Sequence, residues 1–391
     1  MFKIKTLNNI SPKGLDLLPK ENFSISESDD APDGILLRSF KMTEADLPAS
    51  LKAIARAGAG VNNIPVDLCT QKGIVVFNTP GANANGVKEL VLAALLMSSR
   101  RIYQGINWSQ SLKGKGADVA PAVEKGKADF TGPEILGKKL AVIGLGAIGV
   151  IISNAAADLG MEVIGFDPYI SVESAWGLSR TVKRAKSLEG ALLEADYITI
   201  HVPLTPETKG VVNAALLAKM KTGVRIVNFA RGELVNNKDM LAAIKDGKVG
   251  VYVTDFPEEE LLGIDQVIPV PHLGASTPEA EDNCAYMAAD QLKNFLETGN
   301  IKNSVNFPNC EMDFMHANRI LIANKNIPNM VGQITTILAQ EGLNISDMIN
   351  KGKGDVAYNI IDLDNDVSAK AIEKLKSIEG VFMVRLIKSA A

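Results

Sequence analysis

The segment KKLAVIGLGAIG (138–149) constrains the fold of this chain more than any other part of the sequence. A continuous apolar strand runs straight into a turn with glycines at three positions, and a helix-forming segment follows. Gly144 permits a tight turn, Gly146 lets a ligand approach the backbone, and Gly149 lets helix and strand pack closely. The free N–H groups at the start of such a helix favour an anion. The segment therefore predicts a pyrophosphate site in a dinucleotide-binding fold.

A carboxylate stands where it would select the cofactor. Asp167 ends the next predicted strand, MEVIGFDPY (161–169), about 20 residues beyond the glycine turn. A carboxylate at this position binds ribose hydroxyls and repels a 2′-phosphate, so the sequence predicts NAD rather than NADP. A merely tight turn is the alternative, but it leaves the flanking strand, helix and acid unexplained.

Strand and helix candidates alternate along most of the chain. ADYITIHVPL (195–204), VRIVNFARG (224–232) and VGVYVTDFP (249–257) follow the first two strands, and helical stretches separate most of them. This repetition predicts a doubly wound parallel sheet. Three earlier runs predict a second, smaller parallel α/β unit: GILLRSF (34–40), LKAIARAG (51–58) and GIVVFNTP (73–80).

Two long helices and a separate C-terminal module complete the predicted architecture. Residues 87–102 and 277–298 have helical spacing, with Thr277 as the cap and Pro278 at the first position of the second helix. After a polar linker, strand–helix–strand–strand–helix–strand predicts a ferredoxin-like module. We predict two doubly wound parallel α/β domains, one of them a Rossmann domain, and this module. The predicted boundaries are 1–98 with 277–302, then 99–276, then 317–391.

Composition excludes several classes of function. The 391 residues carry a net charge of -4, so no basic field favours nucleic acid or an anionic membrane. Three scattered cysteines and three scattered histidines argue against a disulfide framework and against a metal site. The sequence has no apolar run of about 18 residues and no signal-like start. We therefore expect a cytoplasmic protein without metal.

Two residues fit the chemistry of a dehydrogenase, which needs a cation for a carboxylate and a proton acceptor. Arg231 follows a strand of the predicted sheet, at the carboxyl edge where ligands bind. His272 lies in the loop PVPHLGAST (269–277). His201, which ends another strand, is the rival base, and His316 falls in the linker.

These segments together resemble the D-2-hydroxyacid dehydrogenases. The GLGxIG turn, the NxARG segment, the acidic loop and PHLGAST carry the resemblance. It implies the catalytic set Arg231, Glu259 and His272. Alignment on Phe256 gives Glu259, whereas counting from Arg231 gives Glu260, and Glu258 is the third glutamate of the same acidic run. The resemblance also implies these NAD contacts: Gly144, Gly146, Ala147, Ile148, Gly149, Asp167, Val202, Pro203, Phe229, Ala230, Asp255, Gly274 and Ala275.

Within that family, the chain is most similar to the members that oxidise 3-phosphoglycerate to 3-phosphohydroxypyruvate, the first step toward L-serine. Arg38 and Arg56 stand at strand ends where those members bind substrate, and Ser39, Ala59 and Gly60 adjoin them. One alternative is another D-2-hydroxyacid dehydrogenase, acting on hydroxypyruvate, glyoxylate or D-lactate. A second is a non-catalytic, NAD-sensing scaffold.

The C-terminal module resembles an ACT domain, a regulatory amino-acid-binding module. Asn326 and Asn344 match two effector ligands, whereas Asn324 replaces a histidine and Asn329 replaces a glycine. The resemblance implies L-serine as an effector, with a module kept for dimerisation as the alternative. It also implies a homodimer or homotetramer.

Overall fold

A computed structural model describes residues 1–315 and 318–388, which form two compact units. Unit 1 comprises residues 1–82 and 281–391, and unit 2 comprises residues 83–280. His316 and the residues 317 and 389–391 of the predicted C-terminal module lie outside the described residues. No helix in the described part of the chain is long and apolar enough to cross a membrane.

Unit 1 contains a five-stranded parallel sheet in the order β2-β1-β3-β4-β5. This is a doubly wound order, with the smaller α/β unit at the predicted place in the sequence. Short helices α1 (Pro12–Leu15) and α2 (Val66–Gln71) and the 3₁₀ helix Glu44–Asp46 lie between strands. The strands are β1 (Phe2–Leu7), β2 (Phe23–Ser26), β3 (Gly34–Leu37), β4 (Ala53–Arg56) and β5 (Val75–Phe77).

Unit 2 contains a seven-stranded parallel sheet in the order β12-β11-β10-β9-β6-β7-β8. Counted from β6, the first six strands have the Rossmann order 3-2-1-4-5-6, which confirms the predicted fold class. The order in which successive strands are added to the sheet changes direction between β6 and β9. Ligands bind beyond the carboxyl ends of the strands at such a point. The strands are β6 (Lys139–Ile143), β7 (Glu162–Phe166), β8 (Lys183–Arg184), β9 (Tyr197–Ile200), β10 (Val224–Asn228), β11 (Val249–Thr254) and β12 (Val267–Pro269).

The helices of unit 2 surround this sheet. They are α3 (Ala84–Ser99), α4 (Ile102–Ser111), α5 (Val119–Gly126), α6 (Ala147–Asp158), α7 (Val172–Gly177), α8 (Leu188–Leu192), α9 (Ala214–Lys219) and α10 (Asn237–Lys245). Four 3₁₀ helices join them: Gly116–Asp118, Lys127–Phe130, Gly232–Leu234 and Glu259–Leu261.

The long helix predicted over 87–102 ends three residues earlier than predicted, and a second helix, α4, begins at Ile102. Helix α3 ends at Ser99, and Arg101 adopts a left-handed conformation with φ +47°. The Arg101 guanidinium donates to the carbonyl of Asp129 and pairs with Asp265, which holds the break in place. Apolar spacing alone did not reveal this break.

Helix α3 also bears on the predicted domain boundaries. Its buried residues Val87, Val91 and Leu95 belong to the same apolar cluster as strand β6 of unit 2. The compact units accordingly divide near residues 82 and 280, whereas the predicted boundaries lie at 98 and 276. The functional boundaries stay a prediction.

Helix α11 (Pro278–Thr298) leads from unit 2 into unit 1. The Thr277 hydroxyl accepts a hydrogen bond from Ala280 N (3.0 Å), and the first helical residue is Pro278. The predicted cap, start and end of this helix are confirmed, because both end signals stand in the sequence.

The C-terminal module has the predicted strand–helix–strand–strand–helix–strand order. Its antiparallel sheet has the order β14-β15-β13-β16, as in a ferredoxin-like fold. The elements are β13 (Asn318–Lys325), α12 (Met330–Gln340), β14 (Ile345–Lys353), β15 (Val356–Leu363), α13 (Ala369–Lys376) and β16 (Val381–Lys388).

The module shares a core with the rest of unit 1. Leu321 and Tyr358 from its sheet pack in one apolar cluster with Phe77 and Phe295. The Tyr358 hydroxyl donates to the carbonyl of Gly299 at 2.8 Å. The C-terminal sheet and the small parallel sheet therefore form one packed body.

A buried ion pair fixes the start of the module. Arg319 and Asp362 are both fully buried, and the guanidinium contacts both carboxylate oxygens, at 2.6 and 2.8 Å. Its remaining N–H groups donate to the carbonyls of Thr298, Met312 and Asp313. Five donors thus have partners, which is the condition under which a buried charge is tolerated.

Candidate active site

The glycine turn between β6 and α6 needs glycine at two positions for steric reasons. Gly144 has φ +92°, and a Cβ there would lie 2.6 Å from the carbonyl oxygen of His201. A Cβ on Gly149 would lie 1.9 Å from the carbonyl oxygen of Gly144. Both contacts involve backbone atoms, so a side chain at either position would distort the turn.

Gly146 differs from the other two glycines, because a Cβ there would meet no atom within 4 Å. Gly146 is the N-cap of α6, and no side chain caps the N–H groups that follow. Open space beside free N–H groups at a helix start suits a phosphate. The turn therefore fits the pyrophosphate of NAD, with Ala147 and Ile148 in the first turn of the helix.

Asp167 lies directly after β7 and braces the same turn. Its carboxylate accepts hydrogen bonds from Leu145 N (2.9 Å) and Tyr169 N (2.8 Å). Asp167, which the sequence predicts to bind the ribose hydroxyls, therefore lies beside the glycine turn, half-buried and held in one orientation.

His201, the rival base, is engaged at the end of β9. Its Nε2 lies 2.8 Å from the Thr199 hydroxyl, and burial lowers the pKa of His201 to about 3. Val202 and Pro203 follow it, and Val202 Cγ1 would lie 3.0 Å from a Cβ on Gly144. Val202 therefore lines the glycine turn, which is where the sequence predicts a wall of the cofactor site.

Arg231 lies just beyond the end of β10, on a turn that Asn228 holds. The fully buried Asn228 donates to the carbonyl of Arg231 (2.8 Å) and accepts from Ala230 N (3.2 Å). Phe229 is buried between them, whereas the Arg231 side chain is exposed and donates to the carbonyl of Ala230 (2.6 Å). A guanidinium held this way remains available to an anion.

Asp255, directly after β11, is the least satisfied group of the site. It is 1% exposed, and neither carboxylate oxygen has a hydrogen-bond partner among the described residues. Burial raises the pKa of Asp255 to about 7, although its own backbone N–H and the Arg231 guanidinium oppose the shift. Gly274 N–H favours the charged form too, without reaching hydrogen-bonding geometry. A buried, unpaired carboxyl group is one for which a ligand can supply the partner.

His272 lies in the loop after β12, with its side chain exposed to solvent. Its ring packs on Phe256 at 4.8 Å between centroids, and Phe256 Cβ would lie 3.1 Å from a Cβ on Gly232. Although the residue is exposed, Phe256 covers part of its ring, and this partial burial and, secondly, Arg231 lower the pKa of His272. The imidazole is therefore neutral at neutral pH, as a proton acceptor must be.

The structure does not pair the predicted glutamate with His272. Glu258, Glu259 and Glu260 are all exposed, and Glu259 begins the 3₁₀ helix Glu259–Leu261. Among the described residues, His272 has no hydrogen bond to a carboxylate. Which glutamate acts stays a prediction.

Gly274 and Ala275, the last two predicted NAD contacts, belong to the loop of His272. Gly274 is buried, and a Cβ there would lie 3.2 Å from Val87 Cγ2 and 3.8 Å from Asp255 Oδ2. Ala275 is partly buried beside it. Gly274 therefore lies beside Asp255, and Ala275 is the next residue of the loop.

Two residues with a clear positioning role were missed by the sequence reasoning. Asn228 holds the turn of Arg231, and Phe256 packs against His272. The strand-end position of Asn228 was a usable signal. Phe256 carried none, because a single aromatic residue after a strand is most often core.

The predicted substrate residues of unit 1 share one sheet edge. Arg38 directly follows β3, and Arg56 is the last residue of the neighbouring strand β4. Arg56 donates to the carbonyls of Arg38 (2.9 Å) and Gly60 (2.5 Å), and Arg38 pairs with Glu281 at 2.7 Å. Ser39 is exposed beside them, and the carbonyl of Ala59 accepts from Asn78.

The predicted effector residues lie in the C-terminal module. Asn326 donates to the carbonyl of Gly354 (3.0 Å), and Asn344 donates to Asp364 (2.6 Å). Asn329, which stands in the place of a glycine, has φ +70°, a conformation that asparagine tolerates. Asn324 is buried and accepts from the Asn359 amide at 2.8 Å.

Residues 92–274 match the family model described as D-isomer specific 2-hydroxyacid dehydrogenase, NAD binding domain. This match covers the glycine turn, Asp167, Arg231 and His272, so unit 2 carries an NAD-binding domain of that family. NAD is accordingly the cofactor of this domain, as predicted.

Curated members of the family are similar in sequence to most of this chain. The D-3-phosphoglycerate dehydrogenase of Haemophilus influenzae is 32% identical over 340 residues, 84% of this chain and 79% of the relative. That of Methanocaldococcus jannaschii is 37% identical over 330 residues, 82% of this chain. This chain spans about 60% of the length of the latter.

A solved structure with the same fold is the NAD+-bound 3-phosphoglycerate dehydrogenase of Entamoeba histolytica. It is 26% identical, has a TM-score of 0.61, and covers 78% of this chain and 98% of its own. A glyoxylate reductase structure, at 24% identity and a TM-score of 0.64, shows the same fold.

Proposed function

Because the chain belongs to the D-isomer specific 2-hydroxyacid dehydrogenase family, we propose that it oxidises 3-phosphoglycerate to 3-phosphohydroxypyruvate with NAD. The names of relatives at 32% and 37% identity support this substrate. The observation that carries the proposal is the grouping of Arg231, Asp255 and His272 beyond β10, β11 and β12. In this role the enzyme would catalyse the first step toward L-serine.

His272 and Arg231 have different roles in the proposed oxidation. Oxidation breaks the C2–H bond with its electron pair and removes the proton of the C2 hydroxyl. Bound NAD+ supplies the acceptor for the hydride. An imidazole nitrogen of His272 takes the hydroxyl proton, for which its lowered pKa keeps it neutral beforehand. Arg231 binds the substrate carboxylate through its planar fork of donors.

The cofactor would be held by the glycine turn, Asp167 and the buried Asp255. The open space at Gly146 and the unpartnered oxygens of Asp255 are the features that support this placement. Arg38 and Arg56 are the proposed cations for the phosphate of the substrate, because they share one sheet edge in unit 1.

The acid that stabilises protonated His272 is proposed to be Glu259. Three single variants, Glu258→Gln, Glu259→Gln and Glu260→Gln, distinguish which of the three glutamates stabilises protonated His272. We expect Glu259→Gln alone to lower kcat and to shift the pH at which kcat/KM falls on the acid side. An equal, small effect of all three variants would identify the acidic run as a solvated loop.

A substrate panel tests the proposed activity. We expect kcat/KM for NADH formation with 3-phosphoglycerate to exceed that with D-glycerate or D-lactate by at least about 10²-fold, since these acids lack the phosphate that Arg38 and Arg56 are proposed to bind. Arg56→Gln should reduce this preference, and the exposed Lys20→Gln should not. Preferred turnover of an unphosphorylated acid would identify another D-2-hydroxyacid dehydrogenase, and NADH binding without any turnover would identify a scaffold.

Assembly, regulation and location are further parts of the proposal. A homodimer or homotetramer follows from the family, and light scattering after size exclusion measures it. L-serine would act at Asn326 and Asn344, so Asn344→Ala should relieve inhibition by L-serine. Cys69, Cys284 and Cys310 are free and buried, which suits a reducing cytoplasm.

A further inference from the structure

A cavity of about 590 Å³ lies in unit 1, where strand β16 meets the small parallel sheet. Gly73, at the end of α2, approaches β16 so closely that a Cβ would lie 2.7 Å from Met383 Cβ. One wall of the cavity is therefore a packed contact between the C-terminal module and the small α/β part. The lining residues relevant to its chemistry are Lys52, Lys72, Phe295, Lys376 and Arg385.

The lining is cationic. Four of these residues are basic, and the residues that line the cavity include no aspartate or glutamate. Lys72 approaches Glu44 only to 3.8 Å, and its side chain is 39% exposed. Lys376 pairs at 2.9 Å with Glu373, which is 71% exposed, and exposed pairs of this kind hold their partners weakly. Both lysines therefore remain accessible to an anion.

Lys52 adds little to the net positive charge of the cavity. Its ammonium group pairs with Asp33, a carboxylate that also accepts a hydrogen bond from Lys3 N at 2.8 Å. The net positive charge of the cavity thus comes from Lys72, Lys376 and Arg385.

Arg385 is the strongest feature of the cavity. Its guanidinium donates to the carbonyls of Phe295 and Leu296 near the end of α11, and it lies 5.4 Å from the centroid of the Phe295 ring. Among residues 1–315 and 318–388 it has no ion pair with a carboxylate. Burial lowers the pKa of Arg385. The Asp33 carboxylate favours the charged form of Arg385 from a distance, but its ion pair is with Lys52. Among the described residues, this largely buried guanidinium therefore has no carboxylate in direct contact.

The backbone of β16 adds further donors. In the described sheet, β16 pairs with β13 on one side and with no strand on the other. Such an edge exposes N–H groups of alternate residues, which can donate to oxygen atoms. Residues 381–385 of this edge strand line the cavity together with the three cations.

We propose that this cavity binds a small multivalent anion that carries phosphate or carboxylate groups. The volume lies within the range of about 300–1,000 Å³ that is typical of small-molecule sites. An anion would give Arg385 a counter-charge in direct contact, and Lys72 and Lys376 would reach the same anion from the rim. The site is separate from Arg38 and Arg56, which do not line the cavity.

Isothermal titration of the full chain with citrate and with inorganic phosphate, at constant ionic strength, tests the proposal. We expect citrate to bind with a Kd below about 1 mM. The double variant K72Q/K376Q should weaken binding at least tenfold, and K72R/K376R should restore it. Lys20→Gln, an exposed lysine elsewhere in unit 1, should change the Kd less than twofold. Phosphate tests whether one phosphoryl group suffices or whether the carboxylates are required.

Hydrogen exchange of the wild-type protein locates the anion independently of any variant. Citrate should protect residues 381–385 and the segment around Lys72 and Gly73. Absence of binding, equal binding by K72Q/K376Q, or protection confined to the region of Arg38 and Arg56 would each overturn the proposal. The assays involve no turnover, so their outcome is independent of the dehydrogenase assignment.

Discussion

Replacing Asp255 by asparagine should stabilise the protein at alkaline pH in the absence of NAD. Burial raises the pKa of the folded-state carboxyl group from 3.8 to about 7. The folded protein therefore binds more protons than the unfolded chain across this interval, and its stability falls as the pH rises. The penalty is absent below about pH 4 and complete above about pH 7, which is the sign expected for an acid with a raised pKa.

The size of the effect follows from the shift. Each pKa unit corresponds to about 1.4 kcal/mol, so the penalty is about 4 kcal/mol at pH 8 and about 1.5 kcal/mol at pH 5. Asparagine stays neutral at both values and removes the penalty. For a unit of this size, 1 kcal/mol moves the melting temperature by about 2–4 °C. D255N should therefore gain roughly 5–10 °C more at pH 8 than at pH 5.

The assay is thermal unfolding of the cofactor-free protein, followed by circular dichroism at the two pH values. Asp290→Asn is the matched control, because Asp290 is exposed in the middle of α11, and its stability change should not depend on pH. A change in D255N that is equal at pH 5 and pH 8 would refute the reasoning. Destabilisation at pH 8 would do so as well.

Four further predictions concern single side chains. Asp362→Ala should lower the free energy of unfolding by about 3–5 kcal/mol in urea titrations, because it leaves Arg319 buried without its counter-ion; a loss below 1 kcal/mol would contradict this. Gly149→Ala should lower the melting temperature, because its Cβ would overlap a backbone oxygen. Gly146→Ala should leave the melting temperature unchanged and weaken NADH binding in fluorescence titrations, since its Cβ would meet only the cofactor. Equal effects of the two glycine variants on the melting temperature and on NADH binding would contradict the placement of the pyrophosphate at this turn. Arg231→Lys should raise KM for the substrate more than it lowers kcat, because lysine keeps the charge without the bidentate fork; an unchanged KM would exclude Arg231 from carboxylate binding.

Structural features that require one particular residue type could be predicted from the sequence. The glycine turn and its strand, the start of α11 at Thr277 and Pro278, and the order of the C-terminal elements all stand in the structure as predicted. Positive φ, a missing Cβ and a cap each require particular residues, so these features are readable without a structure.

Other features had no local signal. Strand β8, Lys183–Arg184, consists of two exposed basic residues, and β12 has only three residues, so neither has a hydrophobic pattern to detect. The break at Arg101 depends on partners at Asp129 and Asp265, which are distant in the sequence.

The candidate site shows the same division. Arg231 and His272 were predicted as site residues because strand ends and loops place them at the carboxyl edge, and the structure places both residues just beyond the ends of strands of the same sheet. The resemblance implied a carboxylate for His272, yet the three glutamates are exposed, and among the described residues none of them hydrogen-bonds to His272. The unsatisfied oxygens of Asp255 were not readable at all, because burial and missing donors are properties of the folded chain.

The most direct test of the proposed catalysis is the kcat for NADH formation from 3-phosphoglycerate in His272→Gln compared with the wild-type protein. Loss of the proton acceptor should lower kcat by about 10²–10⁴-fold while NADH still binds. A variant that turns over 3-phosphoglycerate at the wild-type rate would contradict the assignment of His272 as the base, and with it the account of this site.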